Sequence, residues 1–509
     1  MTTVRMADLP TTDTDVLVVG AGPTGLMAGL VLTRRGVPVV VADQKEGPTR
    51  ESRALAVQAR TMEIYDQLGL ADQVLTGAYP ALRMQIGTDP PFGGISIASL
   101  QQGETRFPGI QIFEQSANEQ LLSRALAAAG TDVLWRHRLI DLIDDATQGQ
   151  VMALLDGPEG LVRVRARWCI GADGARSAVR RELDIPFEGV TDDATFWVAD
   201  LRGVRGLSDK SMAARFGDAT FAVAFPLGPG GHTRLVGLAP RDDIGQEEAL
   251  AAARDDLGLT FDGVDWFSSY RVHHRVATAF RKGSVFLAGD AGHVHSPVGG
   301  QGMNTGLQDA HNLALLLADV RQGHLGTAAL NRYERERRPV AVMLVKVTDR
   351  LFGVIGRRNR RTALLRRRVS GVGARLAPRL LGTRFGRRIG GYLGQYRIRY
   401  HFAANAPTPI WADDPVVGLR LPPVPDNHVP LRTLAWQLHT YGIEAARPDL
   451  PLWIEGPHHF PADQEGRLRA DRLYLIRPDG YVAASLPTHS GHVNGGDLQE
   501  TLAAHQLRN

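Results

Sequence analysis

The apolar positions of the first fifty residues form two short runs with a helical stretch between them. Asp15-Val16-Leu17-Val18-Val19 is apolar at consecutive positions, the pattern of a strand buried on both faces of a parallel sheet. Leu26 to Arg35 has helical composition and stops at Gly36, a natural C-cap. Val37 to Ala42 is a second apolar, β-branched run closed by Asp43. Together these predict a complete βαβ unit. Val162 to Ile170 and Ser284 to Asp290 read as further strands, and Leu307, Ala310, Ala314 and Leu317 recur at helical spacing in a helix predicted from about Met303. Far along the chain, Arg472 to Ile476, the turn Pro478-Asp479-Gly480 and Tyr481-Val482-Ala483 predict strand, turn and strand.

Glycine-bearing motifs sit where this pattern changes. Gly20-Ala21-Gly22-Pro23-Thr24-Gly25 fills the turn between the first strand and helix. Its glycines permit a tight turn and let backbone amides approach a pyrophosphate at the helix N-terminus. Asp43, eighteen residues past Gly25, can accept hydrogen bonds from an adenosine ribose. A bare GxGxxG is weak, but here strand, helix, second strand and terminal acid are all present. That unit leaves FAD and NAD both open. Gly171-Ala172-Asp173-Gly174 follows a predicted strand and by itself could equally be a surface Asp-Gly turn. Gly289-Asp290-Ala291-Gly292-His293 ends another strand, at the edge where open α/β sheets bind ligands. Pro297-Val298-Gly299-Gly300-Gln301-Gly302-Met303-Asn304 then opens a helix whose N-terminus aims free amides and partial positive charge at the loop. A reduced flavin is negative on its pyrimidine side, so the loop suits its ring and Asp290 suits the ribityl hydroxyls.

Bulk properties narrow the class. With 509 residues, 43% of them hydrophobic, the chain reads as a soluble protein of two to four domains. A formal charge of +4 implies no global attraction to nucleic acid. Only four residues are lysine (Lys45, Lys210, Lys282, Lys346), and an arginine skew of that kind could be a coding bias. The single cysteine, Cys169, excludes an intramolecular disulfide framework and a cysteine-rich zinc site, and no metal is expected. Val16 to Leu32 imitates a membrane segment but is broken by Gly20, Gly22, Pro23 and Gly25; Met1 to Asp15 shows no charged-then-apolar leader. A cytoplasmic enzyme without a membrane span is the expectation.

As a set, GAGPTG, GADG and GDAGHxHxPxGGQGMN resemble the single-component, FAD-dependent aromatic hydroxylases typified by para-hydroxybenzoate hydroxylase and phenol hydroxylase. The likeness is greatest to the branch acting on polyketide-type aromatics, and it covers roughly residues 14 to 345. It implies an α/β (overall α+β) fold: a Rossmann-like FAD-binding domain from residues 1–80, 111–190 and 276–345, with a substrate-binding β-sheet domain from 81–110 and 191–275. A helical, arginine-rich connector (346–406) and a thioredoxin-like C-terminal domain (407–509) complete it. Cofactor contacts are implied at Gly20, Gly22, Thr24, Gly25, Asp43, Arg53 and Gln115, the last just before an apparent capping box, Ser116-x-x-Glu119. Asp173 is implied on the FAD/NADPH side, and Gly289, Asp290, Pro297, Gly300, Gly302, Met303 and Asn304 around the ribityl chain and ring. Pro297, a rigid residue beside the ring, is the better candidate for a catalytic role and His295 the second, while His293 and His295 read first as shaping the flavin loop. Asp43 stands where many relatives have Glu, and Gly292 where alanine is common.

The resemblance also implies a chemistry. FAD stays bound; NADPH or NADH visits to reduce it; O2 then forms a C4a-hydroperoxide that hydroxylates an aromatic substrate. The protein positions the cofactor and excludes water. No second GxGxxG supplies a nicotinamide domain, since Gly371-Val372-Gly373 lacks the third glycine. Phe196, Trp197, Phe216 and Phe225 are the expected substrate contacts, and Phe221 and Tyr270 add aromatic surface to the same sheet of about Thr191 to Arg275, although core packing explains most of them as well. Baeyer–Villiger oxygenation of a polycyclic ketone is the alternative that the same fold hosts. The Trp-x-Trp-x-Ile-Pro run of flavin halogenases is absent. Fifteen arginines and no acid lie between Asp349 and Asp413, read as a helical connector rather than a nucleic-acid site or a clamp for the NADPH phosphate. The C-terminal region has no cysteine, so structural support or dimer contacts replace a redox role, in a monomer or homodimer.

Overall fold

The computed structural model describes residues 9–50, 54–86, 92–145, 147–207, 210–217, 220–239, 244–295, 300–355, 384–400, 414–489 and 491–508. Arg53, Pro297, the Gly371–Gly373 run and most of the arginine-rich stretch lie outside them.

The predicted βαβ unit forms from β1 (Thr11–Val19), α1 (Pro23–Arg34) and β2 (Val39–Asp43). β1 lies between β2 and β3 (Gly160–Gly171), parallel to both, and β3 pairs in parallel with β4 (Val285–Leu287). Val16, Leu17 and Val18 are fully buried, as the unbroken apolar run requires of a strand covered on both faces. The helix starts at Pro23 rather than Leu26, because a proline in the first helical turn has no amide to leave unpaired. β4 is shorter than predicted: Gly289, at φ +61°, turns the chain into a 3-10 turn over Gly289–Ala291. The long helix α2 (Gly302–Arg321) packs along α1, with residues Asn304 to Val320 buried. Cys169 is buried in the core of β3, where burial pushes its thiol well up and makes it inert.

A second sheet of eight strands stands beside this one. It runs in the order His293–Val294, Gly263–Ala277, Phe187–Arg202, Thr233–Leu238, Phe221–Pro226, Ser211–Phe216, Arg83–Ile86 and Phe92–Ser96. Its edge strand His293–Val294 belongs to the third glycine motif, so the ligand-side loop of one sheet is stitched to the other. Side chains alternate across it. Trp197, Ala199 and Leu235 pack with Ala249, Leu250 and Ala253 of the helix Gln246–Asp255 on one face, while Phe196, Val236, Tyr270 and Val272 share the other.

The C-terminal sheet contains β5 (Trp436–Tyr441), β6 (Ile454–Phe460), β7 (Arg472–Ile476) and β8 (Val482–His489), in the order β6-β5-β7-β8. β5 and β6 are parallel; the other pairs are antiparallel. The crossover between the parallel pair, residues 442–453, is long enough for such a connection and contains no helix. The chain thus has the expected fold class: a Rossmann-like unit, an added β-sheet and a C-terminal thioredoxin-like domain.

The turn between β7 and β8 inserts against the first unit. Arg477 makes paired contacts to Glu336 (2.7 and 2.9 Å) and to Asp479 (3.0 and 2.8 Å). Arg60 donates to the Asp479 carbonyl at 2.5 Å, Gln67 to that of Pro478 at 3.3 Å, and Asn312 to Glu336 at 2.8 Å. Nearby, Trp436 Nε1 and Arg35 both donate to Asp319 at 2.8 Å. All three carboxylates are buried.

Candidate functional site

The three glycine motifs meet through contacts that only a missing side chain allows. A Cβ on Gly20 would lie 2.4 Å from the Ala172 carbonyl oxygen, so the first motif touches the second. A Cβ on Gly25 would lie 1.8 Å from the Gly20 oxygen, which is why the turn into α1 closes so tightly. Thr24 Oγ1 fills the space where a Cβ on Gly289 or on Gly306 would sit, 2.5 Å away in each case. The first motif therefore also touches the third.

Around that junction opens a cavity of about 630 Å³. Gly22, Thr24, Gln115, Asp290, His295, Gly300, Gly302, Met303 and Phe225 line it, all expected from the sequence. The α1 N-terminus at Gly22 has no side-chain cap, so its first amides are free to meet an anion. Asp290 opens into the cavity from the 3-10 turn. Its side chain is exposed to the cavity, yet the crowding of protein atoms around it raises its carboxyl above the ordinary range; His293 opposes this and the charge of Asp309 adds to it.

Other expected residues build the walls instead. Asp43 accepts from Ala21 N at 2.6 Å and Lys45 N at 2.7 Å, tying the glycine turn to the end of β2. Each oxygen keeps capacity for one more donor. Asp173 accepts from Ala178 N and Val179 N at 2.7 and 3.1 Å and starts a short helix, while its neighbours Ala172, Gly174 and Ala175 reach the cavity. Asn304 is fully buried, donating to the Ala56 and Gly300 carbonyls (2.8 and 2.9 Å) and accepting from Gln58 N at 2.8 Å. The Ser116 capping box does not form: the helix starts at Gln115, placing Ser116 inside its first turn. Buried Glu119 instead accepts from Thr49 N, Lys45 Nζ and Gln115 Nε2.

Of the expected aromatic surface, Phe225 and Tyr270 line the cavity. Trp197 points to the opposite face, into the core under the helix Gln246–Asp255. Phe196 and Phe216 pack with Phe221 in a satellite cluster, Phe196 stacking on Tyr270 at 6.1 Å. Strand parity explains Trp197, because adjacent residues cannot share a face; Phe196 and Phe216 are on the same face as Val236 and Tyr270 but pack into the cluster around Phe221. The cavity wall is completed by Ala54 to Ala56, Val236, Arg271, Val272 and His273, which no motif marks.

His293, unlike His295, is turned away from the cavity. It is buried, donates from Nε2 to the Asp309 carboxylate oxygen Oδ2 at 2.7 Å, and stacks on Phe280. Asp309 also accepts from Gly289 N at 3.2 Å and Arg337 Nε at 2.6 Å. Burial alone would raise the Asp309 carboxyl; Arg337 and His293 outweigh it and hold the group below the ordinary range. This buried trio braces the turn that carries Asp290. Among the described residues, no cluster of His, Cys, Asp or Glu could hold a metal, and no helix is long and apolar enough to cross a membrane.

Comparison with known proteins follows the same lines. The family model described as FAD binding domain matches residues 13–348. The chain is 36% identical over 361 residues to 6-methylpretetramide 4-monooxygenase of Streptomyces rimosus, a match covering 68% of the chain and 62% of that relative, less than two thirds of its length. It is 30% identical over 514 residues to 12-dehydrotetracycline 5-monooxygenase/anhydrotetracycline 6-monooxygenase of Streptomyces rimosus subsp. rimosus, covering 94% and 96% of the two chains. The solved structure of anhydrotetracycline hydroxylase from Streptomyces rimosus superposes with a TM-score of 0.75 at 28% identity, covering 97% of this chain and 99% of that one.

Proposed function

The chain belongs to the FAD binding domain family, and we propose on that premise that it is an FAD-dependent monooxygenase hydroxylating a polycyclic, polyketide-type aromatic with NAD(P)H and O2. The observation that carries this reading is one cavity walled by all three glycine motifs on one side and by apolar strand residues on the other. The donor set fits FAD: an uncapped helix N-terminus at Gly22, a carboxylate at Asp290, and close backbone approach where a Cβ would collide. FAD supplies, when bound, the capacity to take hydride and activate oxygen.

The chain's own residues then have separate tasks. Gly22 and Thr24 at the start of α1 hold the pyrophosphate, with Gly20 and Gly25 making the turn. Asp43 serves the ribose edge, Gln115 and Asp290 the ribityl chain, and Gly300, Gly302 and Met303 the ring; Asn304 and Gly289 keep those segments in register. Arg53 and Pro297 belong to the same proposal, with Pro297 and His295 beside the reacting ring and Asp173 on the reductant's side. Phe225, Val236, Tyr270 and Val272 form an apolar wall for a planar substrate and keep water from the reacting centre. Residues 1–80, 111–190 and 276–345 make up the cofactor domain and 81–110 with 191–275 the substrate domain. Two relatives named for oxidising tetracycline-type precursors support the substrate class.

The test is oxygen-dependent NADPH and NADH consumption against polycyclic phenols and quinones, with product mass and carbon skeleton determined. A gain of one oxygen with the ring intact is expected; a lactone would move the reading to Baeyer–Villiger chemistry. Purified protein should be yellow and release FAD on denaturation. Asp290→Ala should lose FAD or hold it far more weakly; a variant that stayed yellow and active would remove Asp290 from the ribityl contact.

A further inference from the structure

The part of the arginine-rich connector that the structure describes does not end in solvent. Its helix α3 (Arg384–Leu393) leads into Gly394 and Gln395, and this turn lies against the N-terminal turns of α2 and the loop before it, where Gly300 to Met303 line the cavity. The contact is an ordered chain of hydrogen bonds. Gln308 Nε2 donates to Gln395 Oε1 at 2.6 Å, Gln395 Nε2 donates to Thr305 Oγ1 at 3.0 Å, and Thr305 Oγ1 donates to the Gln301 carbonyl at 2.9 Å. Gln301, Thr305, Gln308 and Gln395 are all buried. Two backbone contacts flank the chain: the Gly394 carbonyl accepts from Arg60 N at 3.0 Å, and the Leu393 carbonyl from Gln301 Nε2 at 3.5 Å.

Gln395 adopts φ +55°, in the left-handed region that a glutamine occupies only at a cost. Surroundings that over-determine a residue keep such strain in place, and here they are the first two turns of α2. The loop on the other side needs an external restraint. Gln301 lies between Gly300, at φ +61°, and Gly302, so its own sequence leaves it loose. Ordering glycine-flanked backbone costs more conformational entropy than ordering any other. A loop already held in its binding shape escapes that cost when the ligand arrives.

We propose that Gln395 is a positioning residue: it holds the Gly300-Gln301-Gly302 loop in the shape that binds FAD, and the connector is thereby part of the cofactor site. This rests on the flavoenzyme reading above. Gln395→Leu keeps a side chain branched like the amide but one atom shorter, which neither donates nor accepts. Thr305→Val removes the next hydroxyl, and Thr305→Ser keeps it. The measurements are the rate of FAD release from the holoenzyme, followed by the rise in flavin fluorescence, and the fraction of consumed NADPH recovered as hydrogen peroxide.

Gln395→Leu and Thr305→Val should each release FAD about ten-fold faster, the effect of losing one buried hydrogen bond, and raise the peroxide fraction. Thr305→Ser should stay within about two-fold of the parent, and the Gln395→Leu/Thr305→Val double variant should be little worse than either single one, because both break one chain. Release rates within about two-fold of the parent for both variants, even with lowered melting temperatures, would overturn the assignment. Should Gln395→Leu fail to fold, the Thr305→Val and Thr305→Ser pair decides alone. A parent that holds no FAD overturns the flavoenzyme reading; a yellow parent with unchanged variants overturns only the role of Gln395.

Discussion

The cavity and the C-terminal interface are built by opposite means. At the cavity, α1, the GADG turn and the 3-10 turn approach because Gly20, Gly25, Gly289 and Gly306 have no side chain to keep them apart. At the interface, the β7–β8 turn is held by long charged side chains, Arg477, Glu336, Asp479 and Arg60, sealed away from water. One region depends on what is missing from the chain, the other on ions that must find each other across more than a hundred residues. Glycine contacts leave little to neutralise, so the cavity stays open to a ligand. Buried ion pairs leave little freedom, because removing one partner strands the other.

The sharpest attack on that contrast is Glu336→Ala. It leaves Arg477 buried with Asp479 alone and should cost about 3–5 kcal/mol, read as a large fall in melting temperature. Gly25→Ala should follow at about 3 kcal/mol, since its methyl would overlap the Gly20 carbonyl, and the purified variant should carry little FAD. Asp309→Asn lies between the two regions, because Arg337 serves both Asp309 and the connector residue Tyr400. Weakening a charge-assisted pair there should cost about 2 kcal/mol at neutral pH. It should also change the acid limb. The folded Asp309 carboxyl is held below its ordinary value, so its stabilisation is full above the unfolded pKa of about 3.9 and is lost as pH falls through the folded value. Melting temperature plotted against pH should therefore fall less steeply below about pH 4 in the variant than in the parent. Gly22→Ala is the mildest change: at φ −76° with nothing within 4 Å of its Cβ, it should leave stability within about 0.5 kcal/mol. Any loss of FAD in that variant then reports contact with the ligand and not collapse of the turn.

Legibility divides along the same boundary. Gly20, Gly25 and Gly289 stand out in the sequence because their requirement is local: a turn, a positive φ, an atom too close. Asp290 and Met303 could be found because they occupy set distances from those glycines. Phe225 was separable from Trp197 only once strand pairing assigned each to a face. Glu119 reads as a cap in sequence, yet the fold uses it to brace Lys45 and Thr49, a partnership about seventy residues long. His293 and His295 are two residues apart and look alike, but only one turns toward the cavity.

The sequence by itself determined the βαβ unit, the three motifs and the ligand class they suit, because hydrophobic period and glycine spacing act over a few residues. Tertiary structure alone decided which aromatic faces the cavity, that Asp309 and Arg337 brace the turn of Asp290, and that Gln395 reaches the loop at Gly300. Those contacts join residues far apart in the chain, and a long polar side chain carries no local mark of the partner that folding will bring to it.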